Sequence, residues 1–287
     1  METKELLKKV RQIEIKTKGL SNQLFSGEYH TAFKGKGMAF SEVREYMPGD
    51  EIRTIDWNVT ARFDHSYVKV FEEEREMTVM LLIDVSASEN FGTKSQSKHE
   101  MIAEIAATLA FSANQNNDKI GALLFSDEIE LFIPPKKGKK HILRIIREMI
   151  ETKPKSKKTD LNQVLQFYRN TIKKRSIVFL LSDFLSPNFE KSLRIVAKKH
   201  DLIGLRIYDE TELIMPKIGL VEFTNPETGE SRFINTNLKS NRTIYENESK
   251  IHFDAVAKLF QKNALDFSSF STNESFVVPL INLLKRR

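Results

Sequence analysis

Three short stretches carry side chains that could act together. In VMLLIDVSASEN (Val79–Asn90), five apolar residues run into Asp84, Ser86 and Ser88 at alternate positions. Alternate residues of an extended segment face the same way, so a carboxylate and two hydroxyls can converge. Asp183 closes the apolar run FLLSD, and Thr159 stands just before a helical pattern beginning LNQ. An all-oxygen set of this kind is hard-ligand chemistry. It suits Mg2+, which binds oxygens at about 2.0–2.1 Å and keeps several waters, or Mn2+.

Each member also has a simpler reading. Thr159 or Asp160 can cap the helix that follows, with Gln163 completing a capping box. Asp183 can be a turn residue and Asp84 a cap, although the next helical pattern begins only after FGTKSQS. A lone D-x-S-x-S is weak evidence, so the weight falls on where the fold places the three stretches.

Composition narrows the chemistry. The 287 residues contain no cysteine, which excludes disulfides, thiolate nucleophiles and Cys-type zinc sites and fits a reducing cytoplasm. There is no G-x-x-x-x-G-K-[ST] phosphate loop, no G-x-S-x-G elbow and no H-E-x-x-H, and the six histidines lack metal-ligand spacing. The first twenty residues read as an amphipathic helix and not a signal peptide, and no apolar run approaches the roughly 18–20 residues of a membrane span. The net charge of +6 is local: residues 136–158 hold ten Lys/Arg against two Glu, leaving the rest slightly acidic. That segment has no aromatics for stacking on bases, which argues against a single-stranded nucleic-acid groove.

The elements that must position these residues follow from apolar period. Strands are expected at MTVMLLID, KIGALLF, RSIVFLLSD and DLIGLRIYD. EIELFIP is expected as an antiparallel edge strand stopped by Pro134 and Pro135. KHEMIAEIAATLAFSANQNN, KKHILRIIREMIE, DLNQVLQFYRNTIKK and FEKSLRIVAKKH carry helical periods, with Ile102, Ile105, Leu109 and Ser112 on one face of the first. Continuously apolar strands alternating with helices predict an α/β fold: a Rossmann-like, mainly parallel sheet flanked by helices. In such sheets ligands sit beyond the carboxyl ends of the strands, where all three stretches fall. The expected organisation is an N-terminal helix and irregular or β-rich arm (1–76), the α/β core (77–209), and a C-terminal β-hairpin with helices packed on it (210–287). The single Trp57 is expected to pack in the core or clamp the arm.

The order D-x-S-x-S, then Thr, then Asp at the end of the next strand resembles the metal-ion-dependent adhesion site of von Willebrand factor A domains. More narrowly, GMAFSEVREYMPGDEIRTIDWNVTARFDHSYVKVFEEER resembles the signature of the bacterial family called domain of unknown function 58; PPKKGKKHILRII, LLSDF, HDLIGLRIYD and ETGE fall where that family has similar strings. The resemblance spans about residues 19–235 and implies a von Willebrand factor A-like core and a partnership with MoxR-type AAA+ ATPases. Two departures stand out. Glu89 follows Ser88 where an apolar residue is commoner, so its carboxylate can strengthen metal binding or fill a partner's coordination place. Phe184 follows Asp183 where A domains tend to have glycine.

The leading expectation is a non-enzymatic, cytoplasmic binding module. A divalent ion is held by Asp84, Ser86, Ser88 and Thr159, with Asp183 mostly through water, and one place is left for an acidic side chain of another protein. Lys136, Lys137, Lys139 and Lys140 are expected to meet that partner at the same edge. The alternatives are a metal-dependent phosphohydrolase, which needs a carboxylate where Ser86 stands, and a basic nucleic-acid-binding protein.

Overall fold

A computed structural model describes residues 11–14, 17, 39–63, 65–72, 77–90, 96–156, 158–224 and 231–286. The expected N-terminal helix falls largely outside them, as do the start of the arm and residues 225–229, where the sequence NPETG is expected to turn the C-terminal hairpin; residues 11–14 and 17 are helical. The chain divides into two compact units, residues 33–77 and the remainder.

The smaller unit is an antiparallel pair, β1 (Ala39–Glu45) with β2 (Tyr67–Glu72). Its connection is organised by two aspartates. Asp50 accepts two hydrogen bonds from the Arg44 guanidinium, at 2.7 and 2.8 Å, and one from the Met47 amide. Asp56 caps the single-turn helix α1 (Trp57–Thr60) by accepting from the amides of Asn58 and Val59. Trp57, expected to pack in the core or clamp the arm, is instead 66% exposed, and the hydrogen bonds of this connection come from the two aspartates.

The larger unit is built on a six-stranded sheet. Its strands are β3 (Thr78–Asp84), β4 (Lys119–Phe125), β5 (Ile129–Lys136), β6 (Ile177–Ser182), β7 (Asp201–Tyr208) and, after the hairpin β8 (Leu220–Thr224)–β9 (Ser231–Asn235), β10 (Asp266–Ser271). The spatial order is β10-β7-β6-β3-β4-β5, all parallel except β5. The central strands are buried on both sides, which their unbroken apolar runs require. Along β3, Met80 and Leu82 face a core shared with α4 (Leu161–Thr171), α5 (Glu190–Ala197) and α6 (Lys239–Lys262). The alternate residues Val79, Leu81 and Ile83 face the other side, which α2 (Lys98–Gln115) and α3 (Lys139–Glu151) cover.

Two expectations about the sheet need correction. Strand β10 comes from beyond residue 209, so the sheet is completed by a segment expected to hold only hairpin and helices. DFSSFS is too polar to read as a strand, and it is accommodated because it sits at the sheet edge next to α6 and α7 (Val277–Lys285). The prolines do not stop β5, which continues to Lys136; an edge strand tolerates the missing donors. Between them Gly121 lets β5 approach: a Cβ there would lie 2.8 Å from the Ile133 carbonyl oxygen and 2.9 Å from the Pro135 nitrogen.

Candidate metal centre

The strand order reverses between β3 and β6, from which β4 and β5 run outward on one side and β7 and β10 on the other. A crevice opens at such a switch point, beyond the carboxyl ends of the strands. Asp84 ends β3, and Asp183 directly follows β6.

The two strand ends are clasped. Ser182 Oγ donates to Asp84 Oδ2 at 2.7 Å and accepts from the Phe184 amide at 3.1 Å, while Asp84 Oδ1 accepts from the Ser86 amide at 3.0 Å. Ser86 and Ser88 share a hydroxyl–hydroxyl hydrogen bond of 3.1 Å, and Ser88 also bonds Asp183. All four of Asp84, Ser86, Ser88 and Asp183 are buried.

Thr159 reaches the same edge by way of its neighbours. The Asp160 amide donates to the carbonyl of Ser126, just past β4, and the Leu161 amide donates to Ser186 Oγ, in the loop after β6. Asp160, not Thr159, caps α4 by accepting from the Gln163 amide. Thr159 Oγ1 is therefore free of the capping role, and it is buried with no hydrogen-bond partner among the described residues.

Sequence reasoning passed over two participants, Lys98 and Glu212, and noted Glu89 as able to strengthen metal binding or fill a partner's place without counting it among the ligands. Glu89 is fully buried: its Oε1 accepts from the Asp183 amide at 3.1 Å, and its Oε2 has no partner among the described residues. Oxygens of Asp84, Glu89 and Asp183 lie within 4.8 Å of one another. Lys98 Nζ, also buried, is 3.0 Å from Asp183 Oδ2 and 2.8 Å from Glu212 Oε1. Lys98 was legible: it extends the apolar stripe Ile102, Ile105, Leu109 of α2 back by one turn. Glu212 follows β7 in a short 3-10 turn, and its only cue is a position past a strand's carboxyl end.

The charges are strained by burial. Burial, and after it the nearby Asp183, pushes the Asp84 carboxyl up to about 7 against hydrogen bonds from Ser182 and Ser86. Glu89 is raised well above the ordinary carboxylate range by burial, only partly relieved by Lys98. Asp183 is equally desolvated, but Lys98 and hydrogen bonds from Ser88 and the Leu185 amide hold it below the usual value. Burial works against the Lys98 charge, yet Glu89, Asp183 and Glu212 raise its pKa.

The residues present fit a hard divalent ion. About six oxygens at about 2.1 Å place trans ligands about 4.2 Å apart, so carboxylate oxygens within 4.8 Å of one another need close in only slightly. Two buried oxygens without partners among the described residues, Thr159 Oγ1 and Glu89 Oε2, are what such an ion would satisfy.

The structure does not bring the lysines together with these residues. β5 runs antiparallel to β4, and Lys136 pairs with Ile120 at the amino end of that strand, whereas Asp84 pairs with Phe125 at the other end. Lys136, Lys137, Lys139 and Lys140 thus lie about 20 Å away, the length of a seven-residue strand. The later part of the basic segment returns: the Lys155 amide donates to Glu130 Oε1, which also accepts from Ser126 Oγ. Lys153, Lys155 and Lys158 are exposed there. A cleft of about 510 Å3 lined by Phe189, Arg194, His252 and Val256 includes none of the site residues.

A serine–histidine pair exists at the opposite end of the sheet. Ser176 Oγ is 2.8 Å from His200 Nδ1 and 2.6 Å from the Tyr168 hydroxyl, and all three side chains are buried, with His200 pushed down to about 4 by desolvation. With its hydroxyl shared between two buried neighbours, Ser176 is a packing element and not an accessible nucleophile.

A doubly wound sheet of this order, parallel except at the edge strand β5, is the Rossmann-like, von Willebrand factor A-type α/β fold expected from the sequence. The chain belongs to the family described as protein of unknown function DUF58, whose profile matches residues 42–254. It is 26% identical over 282 residues to the uncharacterised protein Rv1480 of Mycobacterium tuberculosis, covering 97% of this chain and 88% of that one. Its likeness to YeaD of Bacillus subtilis, also uncharacterised, is 28% over 109 residues, covering 38% of this chain and 25% of that one. Among solved structures, an aerotolerance-related membrane protein from Bacteroides fragilis superposes with a TM-score of 0.50 at 12% identity, covering 74% of this chain and all of that one. The von Willebrand factor A domain of Rpn10 gives 0.41 at 11%, covering 72% and 94%. Among the described residues no helix is long and apolar enough to cross a membrane.

Proposed function

We propose that the carboxyl edge of the sheet holds a divalent cation, Mg2+ or Mn2+, and that through it the protein binds an acidic group of a protein partner without turning over a substrate. Asp84, Ser86, Ser88, Thr159 and Asp183 would hold the ion, with Glu89 as an added carboxylate. The observation that carries this reading is the buried, unpartnered Thr159 hydroxyl at the edge where three carboxylates converge. A bound divalent ion supplies an electrophilic place that a partner's Asp or Glu can fill, and neutral hydroxyl ligands preserve that character. The family resemblance makes a MoxR-type AAA+ ATPase the first candidate partner. The non-enzymatic reading is supported by Ser86 standing where a phosphohydrolase needs a carboxylate.

Thermal melts test the cation directly. At a hundredfold excess over Kd, Mg2+ adds about 2.7 kcal/mol, or about 5–10 °C for a domain of this size, to a protein that binds it only when folded. Wild type should show that shift and Asp84→Ala should not; equal responses would remove the site.

A further inference from the structure

We propose that Lys98 is the site's built-in counter-cation, competing with the divalent ion for Asp183 while Glu212 draws it away. The position is unfavourable on helical grounds alone. Lys98 is the first residue of α2, capped by Ser97, and a cation there opposes the helix dipole. Its side chain is nevertheless fully buried and reaches Asp183 Oδ2 at 3.0 Å and Glu212 Oε1 at 2.8 Å. Four carboxylates, those of Asp84, Glu89, Asp183 and Glu212, act on this one ammonium or on its immediate partners.

Both Asp183 oxygens are engaged: Oδ1 accepts from the Leu185 amide and Oδ2 from Lys98. Oδ2 keeps a second lone pair, but an ion that took it would sit beside the Lys98 ammonium, so the repulsion between the two cations favours coordination there only as the ammonium moves away. The two acceptors differ in setting, since the Asp183 side chain is 2% exposed and that of Glu212 is 27% exposed. Lys98 therefore has an inner partner that the ion would want and an outer partner that can keep it when the ion arrives. In the metal-free state the ammonium neutralises the inner carboxylate and keeps the edge intact. The inference rests on the divalent-cation reading above.

Mn2+ binding by calorimetry and electron paramagnetic resonance at pH 8 separates the two. Lys98→Met should tighten Mn2+ at least about tenfold, because the methionine fills the same space without the competing charge. Glu212→Gln should weaken Mn2+ at least about threefold in wild type and much less in the Lys98→Met background, since it acts through the lysine. Tightening in Lys98→Met when wild type binds no Mn2+ at all would also support the proposal. Unchanged or weaker binding by a folded Lys98→Met would overturn it while leaving the cation site standing. If Lys98→Met fails to fold, Glu212→Gln decides, and an unchanged Kd overturns the proposal. No Mn2+ binding by any variant removes the site and the inference together.

Discussion

The Ser182 hydroxyl donates a 2.7 Å hydrogen bond to Asp84 Oδ2 and so ties the carboxyl end of β6 to that of β3 at the point where the sheet order reverses. The same oxygen accepts from the Phe184 amide, so one side chain satisfies two buried groups. Ser182→Ala leaves both unpaired and should cost about 2–3 kcal/mol in urea unfolding. It should also weaken Mg2+ binding, because Asp84 loses the partner that orients it. A loss below about 0.5 kcal/mol would show that the clasp carries no stability.

The pH dependence of the metal-free protein follows from Asp84. Its folded pKa near 7 exceeds the unfolded value of about 3.9, so between those limits the folded state holds a proton that the unfolded chain has released. That stability is fully present below pH 4 and lost as pH rises through 7. His200 has the opposite sign, since its folded value of about 4 means stability lost as pH falls from 6.5. Asp84→Asn isolates the first effect, with the Ser182 hydroxyl turning to accept from the amide. In chelator the variant should match wild type only below about pH 4, draw ahead as pH rises from 4 to 7, and exceed it at pH 8 by about 2–4 kcal/mol, since each tenfold difference in proton affinity between the folded and unfolded states is worth at most about 1.4 kcal/mol. A wild type more stable than the variant at pH 8 in chelator would show Asp84 to be comfortable as a bare anion.

Much of this was legible because its cause is local. The strands β3, β4, β6 and β7 announce themselves, since burial on both faces demands unbroken apolar runs. Asp84, Ser86, Ser88 and Asp183 come together because their strands are neighbours in the sheet. Three things were hidden by non-local causes. DFSSFS joins the sheet through its place beside β7 and not through its own pattern. The pairing of Glu89 with the Asp183 amide, and of Lys98 with Asp183 and Glu212, joins segments far apart in the chain, and no local pattern announces it. The basic segment is continuous in sequence, but the antiparallel direction of β5 sends its beginning to one end of the sheet and α3 returns the rest to the other.

Phe184 has φ +61°, a conformation that favours glycine, and its ring is fully buried against Phe189, Phe260 and Phe267. Packing therefore holds a backbone that sterics oppose by about 1–2 kcal/mol. Phe184→Ala loses the ring and keeps the strain, whereas Phe184→Gly loses both. Both should be destabilised, the alanine variant by about 3–5 kcal/mol and the glycine variant by about 1 kcal/mol less. The reverse ranking would mean that the left-handed conformation carries no strain.

The two ends of the basic segment should behave differently toward an acidic partner. Lys153, Lys155 and Lys158 are exposed close to the carboxyl edge, where the Lys155 amide is anchored to Glu130. Lys136, Lys137, Lys139 and Lys140 lie about 20 Å off, roughly twice the distance over which charge is screened at ordinary ionic strength, about 8–10 Å. Attraction between exposed charges acts mainly on association, while a carboxylate held at the ion governs dissociation. With a MoxR-type ATPase as the candidate, changing the three nearer lysines to glutamine should slow association by about tenfold at low salt and flatten its salt dependence. Changing the four distant ones should alter the rate by less than about twofold, and Asp84→Ala or chelation should act on dissociation instead. If the distant set governed association, the partner would be approaching the amino edge of the sheet, and the cation at the carboxyl edge could not be what it grips.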